Sequence, residues 1–336
     1  MRFSLLGFIF SYKCNFICEH CSVNASPLYT EVLEFDLVKK AIDEAYLIPS
    51  FKVISFTGGE VTLFFERLKN AISYAKDKGF ITRVVTNGWW GYSFDNAMRI
   101  AKELASAGLD EINISFDDFH MKFYNKLGGI SAFLNAVRAS YVAGLRIAVS
   151  VTKVNNSKID ANYVKSLLEK EGIDNIEIIE DFITLTGRAR EKFKSSELPR
   201  RNIPNNVGCP YVGDSIMILP DGRVTVCCGH IINVENAKWL VSVGNIKNET
   251  LTELISKIRR NVLFWYIYLK GPQTLARKFD TKLEFNSLCE ACYLLATRFT
   301  KELEELAKRK NEIANCLIRG DDIDEVIGRP DSKGIH

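Results

Sequence analysis

Short apolar runs alternate with longer stretches of helical periodicity over the first 180 residues of the chain. The runs are rich in β-branched and aromatic residues, which is typical of strands. In the stretches between them apolar residues recur every three to four positions, and several close on a glycine, a common signal at the end of a helix. The pattern predicts strands at 3–10, 51–56, 81–86, 111–116, 146–152 and 175–180. It predicts helices at 36–48, 63–79, 93–108, 130–144 and 160–172.

Regular alternation of strand and helix favours a parallel sheet, because parallel strands need crossover connections. The expected fold class is therefore α/β, and six such units suit either a partial barrel or a doubly wound sheet. In both architectures ligands collect at the carboxyl ends of the strands.

The pattern changes after about residue 190, where 195–210 is polar and contains prolines. Within the part that follows, "LPDGRV" at 219–224 predicts a hairpin turn between two apolar arms. Residues 296–318 predict one amphipathic helix, and we expect the last dozen residues to be mobile. The predicted domains are 1–200, 201–298 and 299–336, the last being a helix and a tail.

Composition and charge narrow the range of partners. The 336 residues carry a formal net charge of +3, with lysine and arginine spread along the chain, so no nucleic-acid partner is expected. The apolar N-terminus lacks the features of a signal peptide, and the apolar run at 262–269 is far shorter than the roughly 20 residues of a membrane span. We expect a cytoplasmic protein without a membrane partner.

Nine cysteines without a secretory signal indicate metal or redox chemistry rather than a disulfide framework. Cys14, Cys18 and Cys21 are spaced C-x3-C-x2-C in the loop after the first predicted strand. Three thiolates can hold three irons of a 4Fe-4S cluster and leave the fourth iron open to a ligand. A structural zinc site completed by His20 is the alternative.

This loop, together with "TGGE" after the second strand, resembles the radical SAM superfamily. The resemblance implies a partial (β/α)6 TIM-type barrel whose open iron binds S-adenosylmethionine. It also implies that the loop of Thr57, Gly58, Gly59 and Glu60 binds the methionine amino group. Two glycines allow close backbone approach to a ligand, and the glutamate offers a carboxylate to an ammonium. A zinc site would not explain this second motif.

Further matches to the family are weaker. At the end of the fourth strand, the resemblance directs Ser115 toward S-adenosylmethionine and Asp117 toward the substrate as a catalytic residue, although Asp117 equally suits a helix cap. It places His20 near the adenine and Asn87 in the cavity wall. It also lets Arg188 meet the carboxylate or ribose of the cofactor.

The later cysteines resemble the SPASM and twitch extensions of the family, which open on a cysteine, a glycine and a second cysteine. The resemblance implies a smaller C-terminal α+β twitch/SPASM-like iron-sulfur domain with one auxiliary 4Fe-4S cluster. A four-thiolate zinc site has the same ligands and is the alternative. The implied ligands are Cys209, Cys227, Cys289 and Cys292.

Two cysteines lie outside these ligand sets. Cys228 either replaces Cys227 as a ligand or packs as a small apolar residue, and Cys316 suits a packing position on the last predicted helix. Each is also a candidate catalytic thiol that donates a hydrogen atom to a substrate radical.

The resemblance implies an enzyme that reductively cleaves S-adenosylmethionine to a 5'-deoxyadenosyl radical and removes a hydrogen atom from its substrate. Relatives with such extensions mostly modify peptides, so the leading hypothesis is epimerisation, thioether formation or carbon-carbon crosslinking of a ribosomally synthesised peptide. The alternative is a small-molecule dehydrogenase or cyclase in sugar, antibiotic or cofactor biosynthesis. A non-catalytic metal-binding scaffold would have no use for Glu60.

Two further partners are expected. The predicted barrel begins near residue 1, so a separate leader-binding protein or the C-terminal segment is expected to recognise the peptide. An external electron donor such as flavodoxin or ferredoxin is expected to reduce the cluster.

Overall fold

The computed structural model describes residues 1–199, 203–227 and 242–319. Its sheet contains six parallel strands that follow one another in chain order. They are β1 (Leu5–Ile9), β2 (Val53–Thr57), β3 (Ile81–Thr86), β4 (Glu111–Ser115), β5 (Arg146–Lys153) and β6 (Glu177–Phe182). The helices of this part are α1 (Phe35–Tyr46), α2 (Phe65–Asp77), α3 (Phe94–Ser106), α4 (Asp118–Tyr124), α5 (Ile130–Val142), α6 (Ala161–Lys170) and α7 (Arg188–Lys192). The six predicted strands and five predicted helices are confirmed to within a few residues.

Successive side chains of the strands point to opposite faces of the sheet, and this alternation creates both the core and the cavity. Phe8, Ile54 and Val84 are fully buried on the face covered by the helices. On the other face Ile9 and Val85 border an internal cavity. Because successive side chains of a strand point to opposite faces, the sheet packs on its helices and still leaves a concave inner surface. The predicted α/β fold with a six-stranded partial barrel is confirmed.

The chain after residue 203 extends the same sheet. β7 (Ser215–Ile218) pairs in parallel with β1, and β8 (Arg223–Thr225) and β9 (Ser242–Asn245) continue in antiparallel fashion. The predicted hairpin turn is confirmed: Gly222 has a φ of +84° and its N–H donates to the Leu219 carbonyl at 2.9 Å. The predicted domain boundary between residues 200 and 201 stays a prediction, and strands from both sides of it belong to one sheet.

Six helices follow the hairpin within the described residues. They are α8 (Leu251–Arg260), α9 (Val262–Lys270), α10 (Pro272–Phe279), α11 (Leu288–Arg298), α12 (Thr300–Lys308) and α13 (Lys310–Arg319). The prediction of one helix over 296–318 is wrong, because the chain leaves helical geometry at Phe299 and Arg309. Phe299 is 5% exposed and its ring lies 5.4 Å from that of Phe279, so tertiary packing decides the break. The predicted mobile tail lies outside the described residues.

The apolar run at 262–269 belongs to α9, a helix of nine residues. Leu263, Phe264 and Ile267 bury their side chains in the core. Among the described helices, none combines the length and the hydropathy needed to cross a membrane.

Candidate functional site

A cavity of about 470 Å³ lies inside the curved sheet, and its walls come from β1 to β7 and from the cysteine loop, residues 10–26. This position agrees with the expectation that ligands collect at the carboxyl ends of the strands. The predicted site residues that border the cavity are Cys14, Cys18, His20, Cys21, Thr57, Gly58, Gly59, Asn87 and Ser115. Glu60, Asp117 and Arg188 are not among its lining residues.

In the cysteine loop, backbone N–H groups donate hydrogen bonds to sulfur atoms of the same loop. The Phe16 N–H donates to Cys14 Sγ at 3.3 Å, and the Ala25 N–H donates to Cys21 Sγ at 3.3 Å. The Cys21 N–H donates to the Cys18 carbonyl at 3.2 Å, which closes a turn between these two cysteines. Backbone N–H groups thus already point at two of the three sulfurs, and such donors stabilise anionic, metal-bound sulfur.

Burial raises the pKa of the Cys14 thiol well above its ordinary value, and the nearby Glu60 carboxylate adds to the effect. A buried thiol of this kind gives up its proton when a bound metal supplies the compensating positive charge. Three thiols in one loop, two of them with backbone donors, therefore fit an iron-sulfur cluster held by three cysteines.

The two glycines of the "TGGE" loop lie against the backbone of the cysteine loop. The Gly59 N–H donates to the Ser11 carbonyl at 2.8 Å and the Glu60 N–H to the Lys13 carbonyl at 2.9 Å. A Cβ atom on Gly59 would lie 2.2 Å from the Lys13 oxygen, and one on Gly58 would lie 2.6 Å from the Ser11 oxygen. The glycines thus serve close packing of two loops as well as the cavity wall.

The Glu60 carboxylate turns away from the cavity and is 1% exposed. Oε1 accepts hydrogen bonds from Thr62 N–H at 3.0 Å, Thr62 Oγ1 at 2.5 Å and Thr86 Oγ1 at 2.8 Å, and Oε2 accepts one from Asn87 N–H at 2.7 Å. Burial raises the pKa of Glu60, against the effect of these four donors. Both oxygens thus join the loops after β2 and β3, and a contact with the cofactor ammonium stays a prediction.

Asn87 connects the third strand to the cysteine loop. Its Nδ2 donates to Asn15 Oδ1 at 3.0 Å and lies 3.6 Å from Cys14 Sγ. Its carbonyl accepts the Tyr124 hydroxyl at 2.5 Å. The residue is 6% exposed, so its position beside Cys14 is fixed from both sides.

Asp117 caps helix α4, and its carboxylate is held by His120. Oδ1 accepts the Phe119 and His120 N–H groups at 3.0 and 2.9 Å, and His120 Nδ1 lies 2.9 Å from the same oxygen. Burial favours the neutral acid, but the charge and hydrogen bond of His120 outweigh it and lower the pKa of Asp117 to about 2. The structure thus shows the capping role, and contact of Asp117 with a substrate stays a prediction.

Arg188 binds the cysteine loop from the side of β6. Nη1 donates to the Cys18 carbonyl at 2.8 Å and Nη2 to the Ala25 carbonyl at 2.7 Å. The preceding Gly187 has a φ of +52°, and a Cβ there would lie 2.3 Å from the Ser22 oxygen. Arg188 therefore supports the loop that carries the cysteines, and its contact with the cofactor stays a prediction.

The structure brings the four later cysteines together. Cys209 precedes β7, Cys227 follows β8, and Cys289 and Cys292 lie on the first two turns of α11. Burial raises the pKa of the Cys292 thiol well above its ordinary value, and the nearby Cys227, Cys289 and Cys209 sulfurs raise it further. Convergence of four thiols fits a four-cysteine metal site.

The two candidate catalytic thiols are placed differently. Cys316 lies on α13, partly buried against the main core, and does not border the cavity. Cys228 lies outside the described residues. The packing role expected of Cys316 agrees with this position.

Sequence reasoning missed the charged residues on the inner face of the sheet. Arg83 lines the cavity and pairs with Glu111 at 2.8 Å, and Glu111 also pairs with Arg146 at 2.6 Å. Asp181, at the end of β6, lines the cavity as well. The available signal was a charged residue inside an otherwise apolar strand, as in "ITRVVT".

Comparisons with known proteins agree with this geometry. Residues 8–155 match the family model of the radical SAM superfamily, and residues 209–293 match the SPASM iron-sulfur cluster-binding domain. YydG of Bacillus subtilis, whose name assigns it to peptide biosynthesis, is 24% identical over 292 residues, which cover 83% of this chain and 88% of YydG.

Two more relatives differ in how much of the chain they match. The Fe-coproporphyrin III synthase of Methanosarcina barkeri is 29% identical over 168 residues, covering 49% of this chain and 40% of that protein. The solved structure of anSMEcpe with bound AdoMet superposes with a TM-score of 0.55 at 17% identity, covering 94% of this chain and 98% of that one. At that identity the likeness shows the fold alone.

Proposed function

Because this chain carries a radical SAM domain and a SPASM domain, we propose that it is a radical SAM enzyme that modifies a ribosomally synthesised peptide. The observation that carries the proposal is the single cavity that is lined by the three cysteines of the cysteine loop and by both glycines of the next loop, namely Cys14, Cys18, Cys21, Gly58 and Gly59. Similarity to YydG over most of both chains supports the peptide substrate.

In this proposal Cys14, Cys18 and Cys21 hold a 4Fe-4S cluster with an open iron beside the S-adenosylmethionine site. When bound, the cluster and S-adenosylmethionine supply a 5'-deoxyadenosyl radical that takes a hydrogen atom from the substrate. The chain's own residues fix the sulfurs, exclude water from the loop and offer polar groups to the cofactor. Those polar groups are the side chains of His20, Thr57, Asn87 and Ser115.

Cys209, Cys227, Cys289 and Cys292 hold one auxiliary 4Fe-4S cluster in the proposal, and an external flavodoxin or ferredoxin supplies the electron. Iron, zinc and acid-labile sulfide of the anaerobically reconstituted protein test this assignment. We expect about eight irons per chain for two clusters and about four after Cys289→Ala with Cys292→Ala. Zinc found at the second site would mean that these four cysteines hold a structural metal ion instead of an auxiliary cluster.

Catalysis is tested by 5'-deoxyadenosine formation under dithionite. The triple variant Cys14→Ala, Cys18→Ala, Cys21→Ala is expected to lose the product entirely, and a triple variant that still cleaved S-adenosylmethionine would refute the assignment. The Cys289→Ala, Cys292→Ala double variant is the matched comparison, because it removes thiols of the other site and is expected to retain cleavage of S-adenosylmethionine.

The peptide substrate is tested with synthetic peptides encoded beside the gene, analysed by mass spectrometry after reaction in deuterated solvent. Epimerisation incorporates solvent deuterium, whereas a thioether or carbon-carbon crosslink lowers the mass by a pair of hydrogen atoms. If a thiol donates the hydrogen atom, Cys228→Ala or Cys316→Ala abolishes deuterium incorporation and keeps deoxyadenosine formation. Turnover of a sugar or a cofactor precursor with no peptide turned over would favour the small-molecule alternative instead.

A further inference from the structure

Strand β6 lies at one edge of the sheet. It pairs in parallel with β5 and with no other strand among the described residues. None of its six residues is buried, and Ile179 near its centre is 38% exposed. An edge that is open to solvent presents backbone groups on which another chain can pair as an added strand.

The register shows which backbone groups of β6 point away from β5. In a parallel ladder every second residue of a strand bonds the neighbour on one side, and the residues between them face the other side. The Ile183 N–H, directly after β6, donates to a β5 carbonyl at 3.0 Å. The N–H groups of Ile178, Glu180 and Phe182 therefore point outward. That of Phe182 donates to Asp181 Oδ1 at 2.8 Å, whereas those of Ile178 and Glu180 have no partner within the described residues.

This edge is acidic, although the chain as a whole is not. Residues 171–182 contain five acidic residues and no basic one, in a chain whose formal net charge is +3. Glu180 pairs with Lys153 at 2.5 Å, whereas neither Asp174 nor Glu177 forms an ion pair with a described residue. The edge therefore favours a cationic partner. A second copy of the chain would bring the same acids, and like charges opposite each other destabilise a strand pair.

The edge also leads into the candidate site. Asp181, Phe182 and Ile183, at the end of β6, line the cavity that the three cysteines of the cysteine loop border. An extended chain advances about 3.3 Å per residue, so a segment bonded at Ile178 reaches the level of Asp181 within about 10 Å. A strand added to β6 therefore continues directly toward the cavity.

We propose that the outer edge of β6 binds a lysine- or arginine-rich extended segment of the peptide substrate as an added strand, which directs the adjoining residues of that peptide into the cavity. The inference rests on the proposed function and names the class of peptide. The backbone groups of Ile178 and Glu180 supply hydrogen bonds to any extended chain, and Asp174 and Glu177 select a basic one.

The charge selection is tested by fluorescence anisotropy on the anaerobically reconstituted protein without S-adenosylmethionine. The probe is a labelled hexapeptide of alternating lysine and valine, and the matched peptide alternates glutamate and valine. We expect the lysine peptide to bind at least about tenfold more tightly, and Glu177→Lys to weaken its binding about fivefold. Glu66→Lys is the control, because it makes the same charge change at a side chain of α2 that is 78% exposed.

The strand pairing is tested by Ile178→Pro against Ile178→Val. Proline removes the outward N–H and is tolerated on an edge strand where that N–H faces solvent, whereas valine keeps it. The proline variant is expected to bind the lysine peptide about tenfold more weakly than the valine variant does. Should the proline variant fail to fold, a lysine peptide methylated on its amide nitrogens is used with the wild type, and the same loss is expected.

Equal binding of the lysine and glutamate peptides overturns the inference, and so does an equal effect of Glu177→Lys and Glu66→Lys. Unchanged binding in Ile178→Pro, or of the methylated peptide, refutes the added strand. A dimer of the wild type that Ile178→Pro dissociates would assign the edge to a second copy instead. If the same wild-type sample binds the lysine peptide selectively but forms no 5'-deoxyadenosine under dithionite, the proposed function fails and the edge remains a peptide site, so the two failures are distinguishable.

Discussion

Gly59→Ala should loosen the cysteine loop, because the added Cβ would meet the backbone of that loop, although Gly59 also borders the cavity. The added Cβ would lie 2.2 Å from the Lys13 oxygen and 2.9 Å from the Tyr12 oxygen, both in the backbone just before Cys14. Gly59 itself does not have a positive φ, so its backbone conformation accepts alanine. The expected destabilisation therefore comes entirely from the lack of space for a methyl group between the two loops.

The magnitude follows from the distances. An ordinary contact begins near 3.4 Å, so the two loops must separate by more than about 1 Å. That movement breaks the hydrogen bonds from Gly59 and Glu60 to the Ser11 and Lys13 carbonyls, 2.8 and 2.9 Å long. Overpacking costs about 1–3 kcal/mol, and each lost hydrogen bond about 0.5–1.5 kcal/mol. We expect a loss of about 3 kcal/mol in the free energy of unfolding, or local opening of the loop in its place.

Urea unfolding of the apoprotein measures the first outcome, and iron bound after reconstitution measures the second. Gly144→Ala is the control, because Gly144 has a φ of +78° and no atom within 4 Å of the added Cβ, so it carries only backbone strain of about 1 kcal/mol. Gly59→Ala is expected to lose about four irons of eight, those of the cysteine loop. Equal unfolding midpoints for the two variants, together with full iron content in Gly59→Ala, would refute the steric reasoning.

Three other substitutions probe single interactions near the same loop. The pKa of Asp117 falls from 3.8 to about 2 on folding. Its ionised form therefore contributes about 2 kcal/mol to the free energy of unfolding, which is present above pH 3.8 and lost as the pH falls toward 2. Asp117→Asn should flatten this acid limb in pH-dependent unfolding, and an unchanged limb would contradict the assignment. Tyr12→Phe should increase the free energy of unfolding by up to about 1 kcal/mol and so raise the melting temperature, since the buried Tyr12 hydroxyl has no hydrogen-bond partner in the described residues. A lower melting temperature would reveal a partner. Arg188→Ala should lower the free energy of unfolding by about 3 kcal/mol, because it removes charged donors from two carbonyls. Arg188→Lys should be intermediate in stability. Equal thermal stability of the wild type and both variants would show that these hydrogen bonds are unimportant.

The sequence predicts the strands well, because β1 to β5 are short and largely buried runs between polar turns and need only local information, although β6 is mostly exposed. The helix over 296–318 failed for the opposite reason. Its periodicity is continuous through Phe299 and Arg309, and the burial of the Phe299 ring against Phe279 accounts for the first of the two breaks. The pairing of β7 with β1 could likewise not be predicted from the sequence, since nothing in "SIMI" specifies β1 as the neighbouring strand.

The cysteine loop and the glycine loop were predictable as neighbours, because parallel strands bring their carboxyl ends to one edge of the sheet. The hydrogen-bond partners of individual side chains were not. Glu60 and Arg188 carry groups that suit a cofactor, yet the structure gives them Thr86, Asn87 and loop carbonyls as partners. A motif specifies which residues approach the site, whereas their orientation depends on tertiary contacts that no local pattern contains.

Those contacts suggest how the fold prepares a loop that must receive a metal cluster. Gly59 from the loop after β2, Asn87 from the loop after β3 and Arg188 from the segment after β6 all bind the cysteine loop directly. Its backbone is therefore fixed from three directions by groups that need no metal. Much of the ordering entropy is then supplied by folding, and the binding free energy of the cluster need not provide it. Cluster loss is accordingly expected from substitutions that never touch iron, with Gly59 and Arg188 the most sensitive positions.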